Sequence, residues 1–188
     1  MSYDLYCYKS KLGTPDIDEA IAVIEAGEED ITACAQPDTV TKLKIAKALI
    51  DLNPRLESFD FDYDEIAKIQ GISVDKAKHD FDHIELNTPE GDLATQITIF
   101  DNNVSITVPY WYTGDKAQQV FEKVNGYARV VKQVTGYFVY DPQTEEVYDP
   151  TTSSGEGLAA YTAITSGGKT SIAKPTNQTR SKPWWKFW

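Results

Sequence analysis

Residues 115–134 place the strongest constraint on how this chain can fold. Val120, Phe121, Val124, Tyr127, Ala128, Val131 and Val134 recur with a helical period, and Gly136 follows as a stop. A helix of that length with one apolar stripe needs a broad apolar surface to lie on. The neighbouring segments supply it. "TQITIFD" and "VSITVPYWY" alternate as strands and flank Asn102-Asn103, a dipeptide that tolerates the positive φ of a tight hairpin turn. "SYDLYCYK" predicts an opening strand with Tyr3, Leu5 and Cys7 on one face, and "YFVYDPQTEEVYDP" a strand, a turn and a short return.

Further helices are expected elsewhere. Thr14 as N-cap and Pro15 at the first helical position open one that carries Ile17, Ile21 and Ile24 and stops at Gly27. Another runs from about Thr39 to Leu52, and "YDEIAKIQG" and "SVDKAKHDFDH" form two short ones joined at Gly71 after the extended piece "RLESFDF". The fold class is therefore α+β, with helices packed on a mostly antiparallel sheet. The 188 residues suffice for one domain, expected over 1–150. A Gly/Ser/Thr-rich linker over 151–181, with one helical turn around Leu158–Ile164, leads to a Trp/Lys-rich terminal motif over 182–188.

Charge divides along the same line. Residues 1–150 carry 13 Lys and Arg against 28 Asp and Glu, whereas residues 151–188 carry five basic residues against Glu156 alone. So acidic a body repels nucleic acid and anionic lipid and attracts basic partners. The opening residues lack a basic segment followed by an apolar run, no stretch is apolar enough to span a membrane, and Cys7 and Cys34 are too few for a disulfide framework. A reducing cytoplasm is the expected location, with peripheral membrane contact through the tail as the alternative.

Several motifs bear on chemistry. "KHDFDH" holds both histidines, His79 and His83, four residues apart and so on one face of a helix. Asp80 stands where a metalloprotease helix needs Glu, and no third ligand motif follows, so no metal or other cofactor is assigned. "DFDYDE" spaces Asp60, Asp62 and Asp64 like a calcium loop but lacks its glycine and its final glutamate. As an acidic surface interleaved with aromatic residues it suits a protein partner, with Glu65 extending the charge and Tyr63 adding contact area. The competing reading turns Phe59, Phe61 and Tyr63 inward from a strand and leaves the acids merely solvated.

"EIAKIQGISVDKAKHDF" has the outline of a helix-turn-helix, but its second helix sets Lys76 and Lys78 against Asp75, Asp80 and Asp82, a poor match for phosphates. "SGGKTS" lacks the first glycine of a phosphate loop and a preceding strand. Cys7 is expected to be buried and inert. Trp111 lies opposite Ile106, Val108 and Tyr110 on its strand, and is expected to be a half-buried structural residue or, exposed, a binding anchor. The terminal motif, with Lys182, Trp184, Trp185, Lys186, Phe187 and Trp188, has three destinations: a membrane interface, a partner's groove, or the acidic body itself.

The blocks "MSYDLYCYK", "HIELN", "VPYWY" and "YDPQT" resemble those of small acidic bacterial proteins, uncharacterised members of the toxin-immunity type, encoded beside the toxins they neutralise. The Lys-flanked Trp-rich end is similar to short C-terminal tags carried by unrelated bacterial proteins, a portable module. The resemblance implies a binding protein rather than an enzyme, and assigns no residue. The expectation is an acidic inhibitor of a basic toxin such as a nuclease, using Asp60, Asp62, Asp64 and Glu65 for steering and Tyr63 and Trp111 as anchors. The alternative is a membrane or assembly adaptor recruited through its tail.

Overall fold

A computed structural model describes residues 2–29 and 38–166, so the terminal motif and Cys34 lie outside the described residues. The protein is α+β. Its seven strands are β1 (Ser2–Tyr8), β2 (Glu57–Ser58), β3 (Ile84–Asn87), β4 (Gln96–Ile99), β5 (Asn103–Pro109), β6 (Phe138–Asp141) and β7 (Glu146–Tyr148). They form one sheet in the order β2-β3-β4-β5-β1-β6-β7, with every neighbour antiparallel. The helices are α1 (Ile17–Glu29), α2 (Thr39–Leu52), α3 (Tyr63–Gln70), α4 (Val74–Asp80), α5 (Asp115–Thr135) and α6 (Gly157–Thr165).

The alternation expected in β1 decides how the layers stack. Tyr3, Leu5 and Cys7 turn to one face and join Ile97, Ile99, Ile106 and Val108 beneath α2, α5 and α6 in the main core. Tyr8 turns to the other face and packs with Phe138, Tyr140 and Ala20 of α1. The long helix lies where its stripe demands: Val120, Val124, Tyr127, Ala128 and Val131 are buried, and Gly136 closes it at φ 80°. Burial pushes the Cys7 thiol up to about 12, which suits the inert role expected of it.

Four expectations need correction. The first helix starts at Ile17 because Asp16, not Thr14, caps it, its Oδ1 accepting the Glu19 N–H at 2.8 Å. It also continues through Gly27 to Glu29.

The β4–β5 turn is centred one residue earlier than Asn102-Asn103. The Phe100 N–H donates to the Asn103 carbonyl at 2.9 Å, which leaves Asp101 and Asn102 in the middle. Among the described non-glycine residues only Glu145 has a positive φ, so the turn does not use the backbone freedom of asparagine. Asp101 is held instead by its side chain, which accepts the Asp38 N–H at 3.0 Å and lies 3.1 Å from Lys42 Nζ.

Of "RLESFDF" only Glu57 and Ser58 form a strand. Finally, the fold does not end at 150. Residues 157–165, expected in the linker, form α6, and Tyr161 is fully buried in the main core. Its hydroxyl accepts the Tyr112 N–H at 3.1 Å and donates to the Pro109 carbonyl. The helix can approach closely because residue 157 is glycine: a Cβ there would sit 2.7 Å from the Tyr3 hydroxyl and 3.0 Å from Phe121.

Candidate functional site

The segment from β2 to the end of α4 builds one end of the sheet. Antiparallel register puts Glu57 opposite Asn87, so the chain leaves β2 toward Ile84, Ile99 and the Asp101 turn. There the alternation Phe59-Asp60-Phe61-Asp62-Tyr63-Asp64 separates rings from acids. Phe61 lies 5.1 Å from Phe59, 5.7 Å from Phe81 and 4.9 Å from His83, and His83 lies 5.3 Å from Phe100. The inward reading holds in part: Phe61 and Tyr63 pack on neighbouring rings while Phe59 is 46% exposed, and the acids are left outside. The packing is not that of a strand, however, because Tyr63 opens α3.

Asp62 caps α3, accepting the Glu65 N–H at 3.0 Å, and Gly71 ends the helix in the left-handed conformation before Ser73 caps α4. The expected αα-corner is thus present. Asp60, Asp62, Asp64 and Glu65 are all exposed. The ion pairs among the described residues use Asp51, Asp80, Asp82, Asp92, Asp101 and Asp149, and none of these four acids. Asp62, Glu65 and Ile69 follow one another at helical spacing on the outward side of α3, and Ile69 is 69% exposed. Among the described residues this surface therefore sets four exposed carboxylates outside any ion pair beside the exposed side chain of Ile69.

Nearby acids are spent on structure. Lys42 of α2 is buried, with Nζ 2.9 Å from Asp82 and 3.1 Å from Asp101. That clamp ties α2 to the exit of α4 and to the β4–β5 turn. Burial, and then the Lys42 charge, holds the His83 pKa down to about 4, so its imidazole is neutral near pH 7. His79 and His83 do not share a helical face, because α4 stops at Asp80 with Phe81 as its cap. Among the described residues no group of three His, Cys, Asp or Glu side chains could hold a metal ion.

Trp111 is 69% exposed and stands apart from the acids. The expectation of a half-buried tryptophan fails because β5 ends at Pro109 and Tyr110 takes the inward place, stacked on Tyr161 at 5.4 Å. The register pairs Pro109 with Ser2 and Asn103 with Tyr8, so Trp111 and the acidic segment sit at opposite ends of the sheet. Seven residues of strand separate those ends by about 20 Å. The structure does not bring the two sets of candidate residues together.

Two further features escaped sequence reasoning. Asp141 is fully buried, accepts a hydrogen bond from the Tyr3 hydroxyl and another from the Gln143 N–H at 2.9 Å, and is pushed up from its ordinary pKa by burial. Sealed beneath Gly157, it serves as a floor for α6 rather than an accessible acid. The second is an open groove of about 570 Å³ between α2 and the β2–β3 edge, lined by Leu43, Ala46, Ile50, Ser58, Ile84 and Leu86 and by the Lys47–Asp51 ion pair. Its signal was legible: α2 carries apolar Val40 and Leu43 beyond those its core contact needs, and both are exposed.

No helix among the described residues is long and apolar enough to cross a membrane. No known protein family, curated protein or solved structure matches this chain.

Proposed function

We propose that this protein is an acidic binding module that neutralises a basic protein toxin by direct association, a nuclease being the class whose cationic surface fits best. One observation carries the reading: Asp60, Asp62, Asp64 and Glu65 are exposed together on and beside α3, and among the described residues no ion pair uses them. Such a face raises the encounter rate with a basic partner and orients it. The rings of Phe61 and Tyr63 anchor the segment beneath, and Phe59 and Ile69 supply exposed apolar contact. The second reading, an adaptor recruited through Lys182–Trp188, rests on the composition of that motif.

The test uses three immobilised proteins: the full chain, residues 1–166, and a variant with Asp60→Asn, Asp62→Ser, Asp64→Asn and Glu65→Gln. Each is exposed to lysate of the native host over a salt series. A basic protein retained by the first two and lost from the third, which arrests growth alone and is silenced by co-expression with this chain, is the expected result. Retention that depends on residues 167–188 and ignores the acids would replace the inhibitor reading with the adaptor.

A further inference from the structure

We infer that the groove between α2 and the β2–β3 edge is the docking site of the chain's own terminal motif, Lys182–Trp188. This goes beyond the proposed binding of a toxin, since it uses a different surface. The β-strand alternation turns Ile84 and Leu86 into the groove and sends His83 and Glu85 to the other face, toward the acidic segment.

The groove is the right kind of receptor. Leu43, Ala46 and Ile50 form one wall and Ile84 and Leu86 the other, with Ser58 at the unpaired sheet edge. Leu43 is 57% exposed, so apolar surface on the helix lacks cover among the described residues. About 570 Å³ gives room for a pair of indole rings, and the volume falls in the usual range of ligand sites. The motif offers four aromatic side chains in its last five residues, each with a large area to remove from water.

Three facts single out this occupant. First, α6 lies beside α5 and α5 beside α2 on the same face of the sheet, so the chain leaves α6 on the face that carries the groove. Two helix spacings of about 8–10 Å separate α6 from α2. Second, the reach fits: the fifteen residues 167–181 span roughly 20 Å as a Gly/Ser-type coil. At that separation the tether holds the motif at an effective concentration in the millimolar range, so even a weak contact is populated. Third, the charges complement each other. Residues 167–188 carry five basic residues and no acid, against 13 basic and 29 acidic residues in 1–166. At the groove's rim Asp51 pairs with Lys47 at 2.6 Å, so the complementarity is that of the acidic body as a whole with the basic segment.

Tryptophan fluorescence reads this directly, because the sequence has only four tryptophans and three belong to the motif. In a Trp111→Phe full chain all tryptophan emission comes from Trp184, Trp185 and Trp188. The expected spectrum is blue-shifted from that of a free Lys182–Trp188 peptide, with acrylamide quenching several-fold shallower. Adding Leu43→Glu, an exposed change that leaves the thermal melt in place, should restore the peptide's spectrum and quenching. A Trp111→Phe spectrum equal to the peptide's overturns the inference. So does a blue shift that survives Leu43→Glu, which would put the motif elsewhere, or one that fades on dilution from micromolar to nanomolar protein, which would make the occupant a second copy of the chain.

Discussion

Asp62 is at once a helix cap and part of the charged face, so charge cannot be removed there without care for the fold. Serine keeps the cap and loses the charge, whereas alanine would cost on the order of 1 kcal/mol of stability and confuse the two roles. His83 makes a prediction of its own. Its folded pKa of about 4 lies below the unfolded value of 6.5. The stability it contributes is therefore whole above pH 6.5 and is lost as pH falls toward 4. Urea denaturation should show about 2–3 kcal/mol less stability from this group at pH 4.5 than at pH 7, and His83→Phe should flatten that part of the profile. Gly157→Ala tests the seat of α6. Alanine favours helix, yet its Cβ would meet the Tyr3 hydroxyl at 2.7 Å and Asp141 Oδ2 at 3.1 Å. A loss of about 1–3 kcal/mol is expected, read as a lower melting temperature. Trp111→Ala should change stability by no more than about 0.5 kcal/mol, since the ring is 69% exposed. Because Trp111 sits at the far end of the sheet, that variant should also hold the partner as tightly as the wild type. A substantial loss of affinity would return Trp111 to the interface.

At the scale of elements, α2, α5, the β4–β5 pair and the β6–β7 return were legible because each has enough residues for its period to show. In α5 the helical stripe runs through the whole length, and in β1 the alternation of Tyr3, Leu5 and Cys7 matches the buried face residue by residue. β2 has two residues, too few for alternation to be read, and β3 follows a helical stretch with no hairpin turn before it; they exist because β4 offers an edge to β3 and β3 one to β2. The helix α6 was hidden by its setting. "LAAYTAI" stands among glycines, serines and threonines, and nothing local reveals that Tyr161 fits between Tyr3, Tyr110 and Phe121. Of the candidate site, the acids were legible from composition, while their separation from Trp111 depends on strand register, a property of the assembled sheet. A clear consequence concerns truncation. A chain of residues 1–166 keeps the whole described core and should melt within about 2–4 °C of the full chain, the difference being the docked motif. A chain of residues 1–150 would lose the burial of Tyr161, about 3–5 kcal/mol, and leave the Tyr112 N–H and the Pro109 carbonyl without their partner. Equal melting temperatures for the two would show that α6 is not part of the core.

Across the whole molecule, two surfaces divide the work around β2. Toward α2 lies a groove with apolar walls, and toward α3 lies an exposed face of acids with Phe61 packed behind it and Phe59 exposed beside it. The body's acids far outnumber its bases, so under the proposed function long-range attraction draws in a basic protein and the acidic face orients it. The direct measurement is the association rate of the basic partner with the wild type and with the four-acid variant, followed across ionic strength. Steering by these acids gives a steep fall with salt for the wild type, a much slower rate for the variant at low salt, and convergence of the two at high salt. Equal salt slopes for the two proteins would contradict it, because the acids of α3 would then play no part in steering.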